Sequence, residues 1–176
     1  MKRIVIVVVG SKKSGKTTTI ELLIKKMAKR GYRVAAVKHI PEPDFTMDRE
    51  GKDTWRFAQS GAKTVVGVSA NEIATIEKMD TRDISIERIL QRCIDADVVF
   101  LEGFRKLVAK KSDILKIVVV RSREEALEAA EEFAPILAFT GPYSPVSLDL
   151  KAPYVDLATN PDKMVDLIEK AMKSRS

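Results

Sequence analysis

Cysteine and histidine are almost missing: the chain has one of each. A lone thiol, Cys93, cannot close an internal disulfide, and its place beside Ile94 in a helical pattern reads as packing in a reducing compartment. One Cys and one His are also too few for the soft-donor cluster that a metal-inserting protein needs. Long apolar runs are absent as well. The longest, Ile4 to Val9, falls far short of the roughly 20 residues that span a bilayer. No small-residue cleavage site follows it, so it does not read as a secretory signal. A cytoplasmic protein with no membrane partner is expected. Aromatic residues make up 6% of the chain, and none are interleaved with a basic segment on which bases would stack.

The excess of positive charge, +6 at pH 7 with a pI near 9.4, is dispersed. Lys25, Lys26, Lys29 and Arg30 share one helix, and the acidic run EEALEAAEE counters them elsewhere. A solvated surface explains this better than a phosphate-reading groove, and no nucleic-acid partner is expected. There is no internal repeat and no low-complexity linker. At 176 residues, with 45% hydrophobic and 32% charged, the sequence suits a single folded domain over 1–176.

What the chain does contain is an alternation of short apolar blocks and helical patterns. IVIVVV, VAAV, TVVGVS, VVFLE, ILKIVVV and PILAFT are nearly all apolar, as strands are when both faces of a sheet are covered. Between them, Thr17 to Arg30, Asp83 to Ala96, Ser122 to Phe133 and Asn160 to Lys173 have helical spacing. Ser122 followed by Glu125 forms a capping box, and Asn160 before Pro161 is an N-cap with proline at the first helical position. The pattern predicts an α/β fold with a mostly parallel central sheet between helical layers. One break in it, TVVGVSANEIATIEK, reads as two strands turning at Ser69 to Asn71, an antiparallel hairpin at one edge. His39 to Thr54, with two prolines and several acids, is a long loop of the kind that carries function.

Gly10, Gly15, Lys16 and Thr17 fit G-x-x-x-x-G-K-[ST] completely, between a strand and a helix as that motif requires. Glycines let the backbone ring its N–H groups, here from Lys13 through Ser14, Gly15 and Lys16 to Thr18, around phosphate oxygens at the positive end of the helix. Lys16 is expected to reach the β- and γ-phosphates, and the Thr17 hydroxyl to ligate Mg²⁺. Lys12 and Lys13 either add charge near the phosphates or are solvated loop lysines. The fold expected is that of the phosphate-loop NTPases.

Such a site takes a second metal anchor from the end of a neighbouring strand. Glu102, closing VVFLE before Gly103, fits that place, whereas Asp97 opens the same strand at its far end and is assigned to structure. Asp48 and Asp53 in the long loop either reach the metal or are solvated. His39 ends the second strand on the ligand-binding edge of an open α/β sheet, where function and packing are equally open. Position suggests that Phe139 to Gly141, including Thr140, lines a base, with Tyr143 stacking there or packing. The N-K-x-D string by which many GTPases read guanine does not occur, so base identity is not legible. No general base or water-positioning glutamine is evident, which predicts slow turnover at most.

Taken in order, GSKKSGKTT, VKH, Asp48 to Thr54 with GKDT, SGA and FLEGF resemble the molybdopterin-guanine dinucleotide biosynthesis adapter family of phosphate-loop GTPases. The likeness covers about the first two-thirds of the chain. It implies a homodimer that binds GTP with Mg²⁺, hydrolyses it weakly if at all, and assists the molybdopterin guanylyltransferase. It matches Gly10 to Thr17 to the phosphate loop, Asp48, Lys52, Asp53 and Thr54 to the loop acid and GKDT, and Glu102 with Gly103 to the EGF string. It makes Lys16, Asp48 and Glu102 the candidate catalytic residues, Thr17, Asp48 and Glu102 the metal set, and Lys52 a nucleotide contact. Relatives often carry further histidines after KH, where this chain has IPEP. The alternative is a small-molecule kinase of the same fold. Kinases of that kind usually carry an arginine-rich lid, and Arg121 with Arg123 is the only close pair in the relevant region.

Overall fold

The computed structural model describes residues 3–144 and 150–174. Two compact units make it up, Met1–His39 with Gln91–Ser176, and Ile40–Leu90.

The larger unit is built on five strands: β1 (Ile4–Gly10), β2 (Val34–Lys38), β5 (Val98–Glu102), β6 (Leu115–Val119) and β7 (Ile136–Thr140). They lie in the order β2-β5-β1-β6-β7, and every pairing is parallel. The apolar runs foretold this, because a strand covered on both faces has no polar face to alternate with. In β1, Ile4, Ile6 and Val8 join a core with Ile20, Leu23 and Met27 of α1 (Lys16–Lys29) and Met164, Val165 and Ile168 of α6 (Pro161–Lys173). Val5, Val7 and Val9 point to the other face and are just as buried. Each fully buried aliphatic of this kind contributes about 1.5–3 kcal/mol. On that second face, α5 (Arg123–Glu132) packs beside β6, where Val118, Ala129 and Phe133 line a small cavity of about 150 Å³.

Capping follows the sequence. The Ser122 hydroxyl accepts from the Glu125 N–H at the start of α5, and the Asn160 side chain accepts from the Lys163 N–H at the start of α6. α1 and α6 are cross-linked on their exposed sides, where Arg30 reaches Asp166 at 2.7 Å and Lys26 reaches Asp162 at 2.8 Å. One feature of β6 was not foreseen. Lys116 is completely buried, and its ammonium donates to the carbonyls of Lys111, Ile114 and Ala134 at 2.6, 2.8 and 2.6 Å.

The smaller unit holds α2 (Asp53–Gln59), a hairpin of β3 (Thr64–Val68) and β4 (Ile73–Glu77), and α3 (Ile86–Leu90). The hairpin is antiparallel as expected, pairing Val68 with Ile73, and forms a two-stranded sheet of its own. The helical pattern from Asp83 to Ala96 is realised only as α3 and a single 3₁₀ turn at Gln91–Cys93. Ser85 fixes the start by accepting the Arg88 N–H on its hydroxyl, and the Cys93 carbonyl accepts the Ala96 N–H in a turn that stops the helix. α4 (Arg105–Val108), a short helix after β5, completes the larger unit.

Candidate functional site

Because all five strands run the same way, the C-terminal ends of β1, β2 and β5 share one edge of the sheet, where open α/β folds bind ligands. The chain leaves β1 at Gly10. A Cβ there would lie 2.5 Å from the Val119 carbonyl oxygen and 2.8 Å from the Ser14 hydroxyl, so no other residue lets the loop turn back so closely. Lys13 takes a left-handed conformation with φ of 61°, and Gly15 caps α1 in the same region. No side chain caps α1 and no acid sits in its first turn. Its N–H groups and positive end are left for an anion.

Residues 12–18 and Glu102 line a cleft of about 430 Å³. Within it the Thr17 hydroxyl lies 3.1 and 2.9 Å from the two carboxylate oxygens of Glu102. The carboxylate is held where the sequence placed it, at the end of β5 and one strand from the loop. The Lys16 ammonium folds back onto the Ser11 carbonyl at 2.7 Å. Burial holds the Lys16 pKa below its ordinary value; Glu102 opposes that shift, while Lys38 and Arg121 add to it. The Ser14 hydroxyl is buried in the loop with no hydrogen-bond partner. A buried orphan hydroxyl is costly unless a ligand or water meets it.

Sequence reasoning gave Lys38 no role. Register explains its presence: Lys38 pairs with Glu102 across β2 and β5, and its ammonium lies 3.1 Å from Glu102 Oε1. The only hint in the sequence was that both residues end apolar strands, and which strands lie side by side is not written in either. His39, next along, donates its backbone N–H to the Glu102 carbonyl and sets its ring edge-on to Phe104 at 5.3 Å. A Cβ at Gly103 would come within 2.9 Å of the His39 Cβ, so the turn after Glu102 is seated directly on this histidine. That is a packing role. Asp97 serves structure as expected: Arg33 donates to it from its backbone and its guanidinium, which holds the carboxyl down at about 2.

The remaining candidates lie outside the cleft lining. Thr140 is buried, and its carbonyl accepts from Val120 N–H at 2.8 Å. Gly141 follows with its carbonyl taken by the Tyr154 hydroxyl at 2.6 Å. Both stand at the C-terminal end of β7, two strands from β1. Tyr143 donates its N–H to the Val120 carbonyl. Arg121 is engaged with Glu125, its guanidinium at 2.8 Å. Asp48, Lys52, Asp53 and Thr54 belong to the smaller unit. There Asp48 Oδ1 accepts from the Thr54 hydroxyl at 3.0 Å and the Arg49 N–H at 2.8 Å, while its Oδ2 is buried without a partner. Lys52 stands at the N-cap position of α2 without a side-chain capping bond, and Asp53 opens the helix in an exposed pair with Arg56. Among the described residues no group of three or more His, Cys, Asp or Glu is placed to hold a metal, and no helix is long and apolar enough to cross a membrane.

The sequence profile of a family described as MobB, molybdopterin guanine dinucleotide synthesis protein B, matches residues 5–140. The chain is 37% identical over 123 residues to a putative molybdopterin-guanine dinucleotide biosynthesis adapter protein of Methanocaldococcus jannaschii, a match covering 68% of this chain and 48% of that protein. To the adapter protein of Haemophilus influenzae it is 32% identical over 101 residues, 56% of each chain. The chain thus spans about half the length of these curated relatives. A crystal structure of molybdopterin-guanine biosynthesis protein B superposes with a TM-score of 0.72 at 25% identity, covering 97% of this chain and 99% of that one.

Proposed function

Since the chain belongs to the MobB family of molybdopterin guanine dinucleotide synthesis proteins, we propose that it is a GTP-binding adapter in molybdenum cofactor biosynthesis. In this reading it takes GTP with Mg²⁺ in the cleft, hydrolyses it weakly at most, and assists a molybdopterin guanylyltransferase in the cytoplasm.

The observation that carries the nucleotide reading is the uncapped start of α1 beneath a loop that places Lys16 and Thr17 beside Glu102. Backbone N–H groups of the loop and the orphan Ser14 hydroxyl bind and orient phosphate oxygens. Lys16 exchanges the Ser11 carbonyl for the β- and γ-phosphates. Mg²⁺ fits the donors present. The Thr17 hydroxyl and the Glu102 carboxylate are hard oxygen ligands of the sort this ion takes alongside phosphates and water, rather than in an all-protein cage. Thr17 and Glu102 would hold the ion, which would supply positive charge against the phosphates. Glu102, the one carboxylate among the lining residues, is engaged by Thr17 and Lys38, which supports a site suited to holding a nucleotide more than to turning it over. Arg121 is committed to Glu125, which weakens the case for a kinase lid.

A homodimer is supported by the hairpin. Val66, Val68 and Ile73 share one face of β3 and β4 and are 53%, 74% and 71% exposed. An uncovered apolar face beside free strand edges is suited to a second copy.

Calorimetric titration with GTP and with ATP, each with and without Mg²⁺, tests the reading. Tight, Mg²⁺-dependent GTP binding with weak ATP binding is expected. A preference for ATP would redirect the search to kinase substrates, and no triphosphate binding at all would end the nucleotide reading.

A further inference from the structure

Glu102 is not waiting bare in the cleft. Its side chain is 14% exposed, and Oε1 accepts from both Thr17 and Lys38 while Oε2 accepts from Thr17. Lys38 is different, with 57% of its side chain exposed. The carboxylate is therefore the fixed half of this pair and the ammonium the half free to leave, since solvent rehydrates an exposed lysine head at little cost. Lys16 and Lys38 both act on this single carboxylate, and the Lys38 charge is felt at Lys16. Two cations already share one anion. A divalent ion arriving alone would add two positive charges beside Lys16 and Lys38, where Glu102 is the one carboxylate among the lining residues. Arriving with a triphosphate, it would bring the opposing charge with it.

We propose that Lys38 is a built-in counter-ion of Glu102 that stands in for the metal's charge, so that a divalent cation binds there well only when it displaces Lys38 or brings phosphate with it. The inference rests on the nucleotide reading only in taking Thr17 and Glu102 as the metal's partners. Lys38 is a positioning residue in this scheme. It keeps the carboxylate oriented and satisfied in the metal-free protein and makes metal entry conditional on the nucleotide. The strand register fixes the arrangement, because in-register residues on adjacent parallel strands stand about 4.8 Å apart.

The test uses the nucleotide-free full chain and Mn²⁺ alone, with free Mn²⁺ read by electron paramagnetic resonance. At low salt, Lys38→Gln should bind Mn²⁺ on the order of tenfold more tightly than the unaltered protein, the effect expected of removing one unit charge a few ångströms from a divalent ion. The gain should shrink as salt is added. Lys38→Arg, which keeps the charge, should resemble the unaltered protein, and Lys38→Gln combined with Glu102→Gln should lose the gain. Equal or weaker Mn²⁺ binding by Lys38→Gln, undetectable binding in both included, would overturn the proposal, as would a Lys38→Arg protein that behaves like Lys38→Gln. Thermal unfolding of each variant separates a folding defect from a charge effect. A parallel titration of the unaltered protein with GTP keeps the two ideas apart: failure to bind triphosphate strikes the nucleotide reading, while the Mn²⁺ comparison still judges Lys38.

Discussion

Replacing Lys16 with alanine separates phosphate recognition from every other source of nucleotide affinity. In the structure its ammonium is 2.7 Å from the Ser11 carbonyl and lines the cleft beside Thr17 and Glu102. A charge-assisted hydrogen bond to a phosphate contributes about 1.5–3 kcal/mol, which corresponds to about 10- to 150-fold in affinity. Some of that is offset, because the bound lysine gives up the Ser11 carbonyl, and the lower part of the range is the expectation. The loss should appear with GTP and fade as phosphates are removed. With GMP or guanosine the two proteins should agree within about twofold, since the ammonium is assigned to the β- and γ-phosphates. Calorimetry with GTP, GDP, GMP and guanosine in the presence of Mg²⁺ reads this directly. An equal loss for all four ligands would refute the reasoning, because the lysine would then be shaping the loop instead of meeting the terminal phosphates. Urea unfolding of the variant guards against that confusion, and a change of less than about 0.5 kcal/mol is expected for so local a truncation.

Two further outcomes concern parts of the molecule away from the cleft. Lys116→Met keeps the side chain's bulk but withdraws the donor shared by the carbonyls of Lys111, Ile114 and Ala134, and should cost about 2–4 kcal/mol in urea unfolding; a loss below about 0.5 kcal/mol would mean that water or other donors take over the carbonyls. Val68→Asp with Ile73→Asp places two charges on the exposed hairpin face and should convert a dimer to monomers in sedimentation equilibrium, with little change in unfolding because both residues are 70% exposed or more. A protein that is monomeric before substitution, or dimeric after it, would remove the hairpin as the self-association surface.

The parts of this chain that sequence made legible are those governed by local rules. Doubly buried strands announce themselves as unbroken apolar runs, so β1, β5 and β6 could be read directly, and from them the parallel sheet. The caps at Ser122 and Asn160 depend on residues three positions apart and were equally visible. Within the cleft, Gly10 and residues 12–18 are one continuous string, and Glu102 was found because strand-end acids have a known chemical use there. What could not be read depends on which strand lies beside which. Lys38 meets Glu102 only because β2 is the neighbour of β5, although 64 residues separate them. Lys116 drew no reading of its own within the apolar run ILKIVVV, and only the fold brings three carbonyls around it. The expected helix from Asp83 to Ala96 failed for the opposite reason. Its spacing was helical throughout, yet the turn at Cys93 and Ala96 consumed its second half.

The polar groups of the cleft are mostly satisfied by one another: Lys16 by the Ser11 carbonyl, Thr17 by Glu102, and Glu102 by Lys38 as well. Ligand entry is therefore an exchange in which internal bonds are given up for external ones, and each exchange returns only the difference. Two features are not exchanged. The first-turn N–H groups of α1 have no side-chain cap and give up only water when phosphate arrives, and the buried Ser14 hydroxyl, which has no partner, gains a bond outright. Phosphate oxygens should on this ground contribute more of the binding free energy than the metal does. Removing Mg²⁺ from a bound triphosphate should weaken the complex without abolishing it, whereas removing the terminal phosphates should leave little. The asymmetry follows from the fold, because the groups that would meet phosphate have no internal partner to leave, whereas Glu102 is already engaged by Thr17 and Lys38.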